Sequence, residues 1–237
     1  MATKRDLERE LAEAADPERA RSLQWFFKTG KGEYAEGDRF LGITVPIQRR
    51  IALRYRGLPL ADLARLLRSR FHEHRFAALE ILVSKYEDAQ TDEAREAVYD
   101  FYLANTAGVN NWDLVDGSAP YIVGQHLKNR NRDDLYRLAG SESIWERRIA
   151  VVATLTLIRS GEIDDTFALA EKLLADRHDL IQKAIGWMLR EAGRVDRIAL
   201  LRFLEKNYSA LGRTALRYAI EHFPQAQRKQ LLNGEFD

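Results

Sequence analysis

The residues best placed to do chemistry in this 237-residue chain lie in Asn110-Asn-Trp-Asp-Leu-Val-Asp-Gly-Ser-Ala-Pro120. An asparagine stands where it can cap a helix, and Trp112 and Asp116, four residues apart, then share one helix face. Asp113 falls in the first turn, where a carboxylate complements the positive end of the helix dipole. Asp116 lies one turn deeper, beside the indole and next to Leu114 and Val115, where an unpaired carboxylate is costly to bury. It therefore either pairs with an arginine or lines a cleft. In a cleft, an ionised Asp stabilises positive charge that develops during a reaction, and an indole face attracts cations.

A second set lies near residues 179–193. Lys183, Trp187, Arg190 and Arg194 recur at i, i+4, i+7 and i+11, which predicts a cationic stripe with one indole in it. Upstream, Trp145 and Arg148 are three apart, with Arg147 expected to face solvent. The net charge is only +1, from 37 Lys plus Arg against 36 Asp plus Glu, yet Arg177 to Lys229 holds 11 basic and 5 acidic residues. That asymmetry admits a polyanion partner. Of the 37 cations 28 are arginine, the side chain suited to planar recognition of phosphate or carboxylate.

Other chemistries find little footing. His72 and His74 are two apart, wrong for one helix face, and His126, His178 and His222 are isolated, so neither a metal nor a cofactor is expected. Ser118 has no histidine partner in sequence reach, and no Gly-x-Ser-x-Gly elbow occurs. Gly30-Lys-Gly32 lacks the rest of a phosphate-binding loop.

The elements that must position these residues are helices. Nearly every segment has a 3.6-residue period, with helices expected near 4–15, 17–28, 45–55, 60–70, 72–87, 91–106, 110–128, 132–140, 144–160, 164–176, 179–193, 196–208, 212–222 and 225–233. Blocks beginning at Arg75, Arg148, Lys183 and Thr214 repeat, and a unit of about 31–38 residues made of two antiparallel helices fits them. The chain reads as all-α, an α-solenoid of HEAT-like repeats forming one curved domain over residues 1–237. Its one interruption is a Gly-rich loop or hairpin near 29–39, where Lys31 is exposed to a partner. With no cysteine, no apolar run long enough for a membrane span and a charged, amphipathic start, the expected location is the cytoplasm.

Four blocks in order carry a resemblance: Phe40-Leu-Gly-Ile-Thr-Val-Pro46, Asn111-Trp-Asp-Leu-Val-Asp116, Ile144-Trp-Glu-Arg-Arg148, and Ile181-Gln-Lys-Ala-Ile-Gly-Trp-Met-Leu-Arg-Glu191. Together they resemble the AlkD-like DNA glycosylases of the bacterial DNA alkylation repair family over nearly the whole chain. The resemblance implies a monomer working on duplex DNA, alkylated or distorted, in the nucleoid and away from membranes. It implies release of cationic N-alkylated purines such as 3-methyladenine and 7-methylguanine. Asp116 is then the catalytic carboxylate, Trp112 and Trp187 flank the target sugar, and Arg148 contacts DNA near the lesion. Lys183, Arg190, Arg194 and Lys31 are the further DNA contacts, with Asp113 and Trp145 supporting. Asp179 and Leu180 depart from the aromatics of that branch. The insertion at 30–38 also resembles a hairpin of a sister branch that binds branched DNA without excising bases. Binding without catalysis is therefore the alternative, and a protein scaffold is the default use of a helical solenoid.

Overall fold

A computed structural model describes residues 2–236. Contacts divide the chain into two compact units, Met1–Ile122 and Val123–Asp237. Among the described residues the regular structure is helical, with a single isolated β-bridge between Arg39 and Phe71.

The first unit holds α1 (Lys4–Glu13), α2 (Pro17–Phe26), α3 (Val45–Arg54), α4 (Leu60–Leu67), α5 (His72–Asp88), α6 (Asp92–Ala104) and α7 (Trp112–Asp116). A capping box joins Thr3 and Asp6 at the start of α1, which buries Leu7 and Leu11. Pro17 at the first turn and the Asp16 cap start α2, a helix with no buried residue. The central element is α5, packed on by α1, α3, α4, α6 and α7. It is buried nearly all round, as a core helix must be, and still begins His-Glu-His-Arg.

The expected helix over 110–128 is broken. Pro120 has no N–H to offer the Asp116 carbonyl, and the Ser118 hydroxyl instead donates to the Leu114 carbonyl at 2.6 Å. The chain therefore leaves α7 after five residues, passes through a π-turn at Pro120–Gly124, and resumes in the short α8 (Gln125–Leu127). The segment 29–38 is a loop of turns without strands. Lys28 at its start and Gly32 and Gly37 within it adopt positive φ.

The second unit, beyond α8, is solenoid-like: α9 (Asp133–Ala139), α10 (Ile144–Arg159), α11 (Asp164–Lys172), α12 (Asp179–Val195), α13 (Arg197–Asn207), α14 (Arg213–Ala219) and α15 (Gln225–Asn233). Successive second helices stack, α10 on α12 and α12 on α14. A hydrogen-bonding device recurs at the fourth residue of the longer helices. Arg75, Arg147 and Gln182 each donate to the carbonyl six residues back, of Ser69, Ser141 and Asp176. This corrects the sequence register by one residue: Arg75 is equivalent to Arg147 and Gln182, not to Arg148 and Lys183. It also corrects Arg147, which is enclosed rather than solvent-facing, with Nε 2.7 Å from Asp176 Oδ2.

The α12–α14 contact admits no side chain at Gly186, where a Cβ would come within 2.5 Å of the Ala215 carbonyl oxygen and of Tyr218 Cβ. Gly186→Ala is expected to lower stability by roughly 1–3 kcal/mol through overpacking, despite alanine's better helix propensity, as measured by urea unfolding. An unchanged or raised midpoint would show that the two helices can separate without cost.

Candidate functional site

On α7 the indole of Trp112 and the carboxylates of Asp113 and Asp116 are each half-buried. Five residues cannot hold a helix by themselves, so α7 depends on its surroundings. Asp113 Oδ2 accepts a hydrogen bond from His72 Nε2 at 2.8 Å, which ties α7 to the start of α5. Behind α7, the buried Tyr102 hydroxyl and Ser118 Oγ are 3.0 Å apart. The Tyr102 phenol is pushed up in pKa, by burial first and by the charge of Asp116 besides, against the Ser118 hydrogen bond. Asp116 is thus near enough for its charge to be felt in the core of this unit.

Trp112 is the end of an aromatic stack. Its ring lies 5.4 Å from Phe27 at 15°, Phe27 lies 4.9 Å from Phe40, and Phe40 lies 4.6 Å from the His72 imidazole. The circuit closes through the His72–Asp113 hydrogen bond, since Asp113 is the next residue to Trp112. The indole is therefore held from two directions.

The stack rests on buried charge. Arg75 Nη2 donates to Asp38 Oδ2 at 2.6 Å, and the same carboxylate oxygen lies 3.8 Å from His72 Nδ1, too far for a direct hydrogen bond. Glu73, fully buried, accepts from the backbone N–H groups of Leu41, Gly42 and Ile43 at 2.9, 2.8 and 3.4 Å. That carboxylate gives the Phe40–Pro46 block its local structure, and Gly42 completes it. At Gly42 φ is +88°, and a Cβ would stand 2.1 Å from the Asp16 carbonyl oxygen.

Sequence reasoning missed Phe27, Asp38, His72, Glu73 and Arg75. The available signal was three ionisable types at the head of a helix apolar all round, where each must find a partner. It also placed Asp113 as a partner of the helix start, whereas the carboxylate reaches across to His72.

In the second unit Trp187 is half-exposed on α12, and Trp145 is half-buried at the start of α10. Arg148 is buried and donates through Nη1 to the Leu180 carbonyl at 2.6 Å. The stripe on α12 forms as expected, but its cations carry acids. Lys183 Nζ is 2.6 Å from Asp179 Oδ2, Arg194 Nη1 is 3.0 Å from Glu191 Oε2, and Arg190 pairs with both Glu191 and Glu221. Lys31 is exposed in the loop of the first unit. Among the described residues no group of three His, Asp or Glu could hold a metal ion. No helix is long and apolar enough to cross a membrane.

His72 carries a sign that can be tested. Burial presses it to lose its proton, but the charge and hydrogen bond of Asp113, with Asp38, outweigh burial and the repulsion of Arg75. Its pKa is therefore raised above 6.5. Because the folded-state value is raised, this stabilisation is complete below about pH 6.5 and is lost as pH rises through the folded-state value. Asp113→Asn keeps a hydrogen-bonding side chain and removes the charge. The ring resonances of His72 should then titrate at lower pH than in the wild type, and the stability gap between the two proteins should narrow as pH rises. An unmoved titration would mean that Asp113 does not hold the proton.

Comparison with known proteins gives a family and a fold. The family model described as DNA alkylation repair enzyme matches residues 7–223. A solved structure, a predicted DNA alkylation repair enzyme from Enterococcus faecalis, is similar in fold with a TM-score of 0.68 at 18% identity, covering 89% of this chain and 97% of that one. No curated protein matches the sequence. With its family model spanning all but the ends, the chain belongs to the DNA alkylation repair enzymes.

Proposed function

We propose that this protein hydrolyses the N-glycosidic bond of cationic N-alkylated purines, such as 3-methyladenine and 7-methylguanine, in duplex DNA. The observation that carries the reading is the rigid mounting of Asp116 beside Trp112 on α7, within a chain of the alkylation repair family. As the bond between C1′ and the purine nitrogen breaks, its electron pair leaves with the base, which becomes neutral. Positive oxocarbenium charge builds on the sugar, where the Asp116 carboxylate stabilises it. Water then adds to C1′ and gives up a proton. An alkylated purine needs no proton to leave, so no second acid is required. His72, buried and turned to Asp113, is a positioning residue.

Trp112 offers its indole face to the cationic sugar, an attraction of about 0.5–2 kcal/mol. On the second unit, Trp187 is assigned a like contact, and Lys183, Arg190 and Arg194 the phosphates. Arg148, held on the Leu180 carbonyl, is placed as a fixed guanidinium close to the lesion, with Trp145 and Asp113 in support. Lys31 extends the basic contact on the first unit. Binding of distorted DNA without excision stands as the second reading, on the strength of the long Lys31 loop, although that loop holds turns and not the hairpin that the sister branch carries.

Asp116→Asn should cut the release of methylated purines from duplex DNA by about 100-fold or more while DNA binding persists, measured by quantifying free base. Retained release would remove the carboxylate from the mechanism. No release by the wild type, with DNA still bound, would favour the second reading.

The pairing of Lys183 makes a separate prediction. Asp179→Asn breaks that ion pair and removes a charge that repels phosphate, so affinity for duplex DNA should rise and its salt dependence steepen by up to about one ion. Lys183→Ala should flatten the slope by a similar amount. If both variants match the wild type across a salt titration, this part of α12 does not meet DNA.

A further inference from the structure

The end of α2 presents the most exposed aromatic surface of the protein. Trp25 is 79% and Phe26 54% exposed, on a helix that buries no residue of its own. Together with Leu23, Ser22, Arg19, Asp16 and Glu18 they line an open groove of about 550 Å³. The surface is continuous with the candidate site: the Phe26 ring meets the Trp112 ring edge-on at 6.1 Å, and Phe27 behind it stacks on the same indole.

Its electrostatics favour a polyanion. Lys28 Nζ stands 5.8 Å from the centre of the Trp25 ring. Arg19, Arg21 and Lys31 are exposed and, among the described residues, make no ion pair, unlike the stripe on α12. Of the four neighbouring acids three are engaged with backbone, while Glu18 is exposed in the same groove. Asp16 caps the N–H groups of Glu18 and Arg19, Glu33 takes the N–H of Gly30, and Glu36 takes that of Gly32. Two exposed rings with free cations beside them form the combination that binds nucleic acid through stacked bases and phosphate contacts.

We propose that Trp25 and Phe26 are a stacking platform for an unpaired base of the bound DNA, with Arg19, Arg21 and Lys31 holding its phosphates. This rests on the DNA-directed reading above and adds a recognition element to it. A base whose pairing is weakened by alkylation, or the base opposite, is available to such a platform at least cost. The rings contribute no charge, so they strengthen binding without adding to its salt dependence.

The test uses the full-length protein and two duplex oligonucleotides of equal length, one fully paired and one with a single unpaired 2-aminopurine. The wild type should bind the second more tightly and quench its fluorescence. Trp25→Ala should lose about tenfold in affinity for that duplex, bind the paired one nearly as before, lose the quenching and keep the wild-type salt slope. Trp25→Phe should retain most of the binding. Since Trp25 is exposed, the variant should keep the wild-type circular dichroism melt. Equal binding of the two duplexes, or an unchanged Trp25→Ala, overturns the platform while leaving the glycosylase reading intact. Platform behaviour with no base release overturns that reading and leaves the platform. A dimer in sedimentation that Trp25→Ala dissociates, with DNA binding unaltered, assigns the surface to a second copy of the chain and also overturns it.

Discussion

The buried ionic cluster at the head of α5 is the constraint on which the first unit depends. Asp113, His72, Asp38, Arg75 and Glu73 converge there with little solvent to screen them. Such a cluster contributes less to net stability than its Coulomb energy suggests, because each ion was desolvated to enter it. Removing one partner nevertheless costs about 3–5 kcal/mol, since the others remain buried and uncompensated. The cluster therefore acts as a specification. It leaves one permitted arrangement for three segments that lie 30 to 41 residues from their partners on α5: the loop ending at Asp38, the turn at Leu41–Ile43 and helix α7. Hydrophobic packing alone would tolerate small slips among them.

Helices α12 and α2 handle their surface charge differently. On α12 every cation of the stripe has a carboxylate within reach, so the stripe is close to neutral until a competing anion arrives. Exposed pairs of this kind are worth at most about 1 kcal/mol, and a phosphate can replace the carboxylate at small cost. Around α2, by contrast, Asp16, Glu33 and Glu36 are spent on backbone N–H groups and the arginines are left open. A net charge of +1 conceals this division. The distribution of partners, more than the count of charges, governs how steeply association depends on salt.

The helices were legible in the sequence because burial on one side imposes a period, and nearly every expected helix is present. What a period does not carry is where a helix must stop for chemical reasons. The expected helix across 110–128 has an unbroken apolar pattern, and only the missing N–H of Pro120 and the competing Ser118 hydroxyl end it early. Register has the same weakness. Arg147 and Arg148 are adjacent and alike, and the one equivalent to Arg75 is identified by its hydrogen bond to the carbonyl six residues back. Trp112 and Asp116 could be placed on one helix face because a spacing of four is local. His72 and Asp38 were missed because their partners lie 41 and 37 residues away.

That distance bears on how a carboxylate can be useful on so short a helix. A general stabiliser of developing charge has to be in place before the charge appears, since reorienting it during the reaction forfeits most of its value. Isolated, α7 would sample many conformations, and Asp116 with it. The fold removes that freedom through the backbone on either side: it pins Trp112 and Asp113 through the His72 hydrogen bond and the stacked rings, and the following turn through Ser118 and Tyr102. These restraints leave Asp116 and Trp112 half-exposed while their neighbours Leu114 and Val115 are buried. Holding the backbone on both sides is what gives order to a helix too short to order itself.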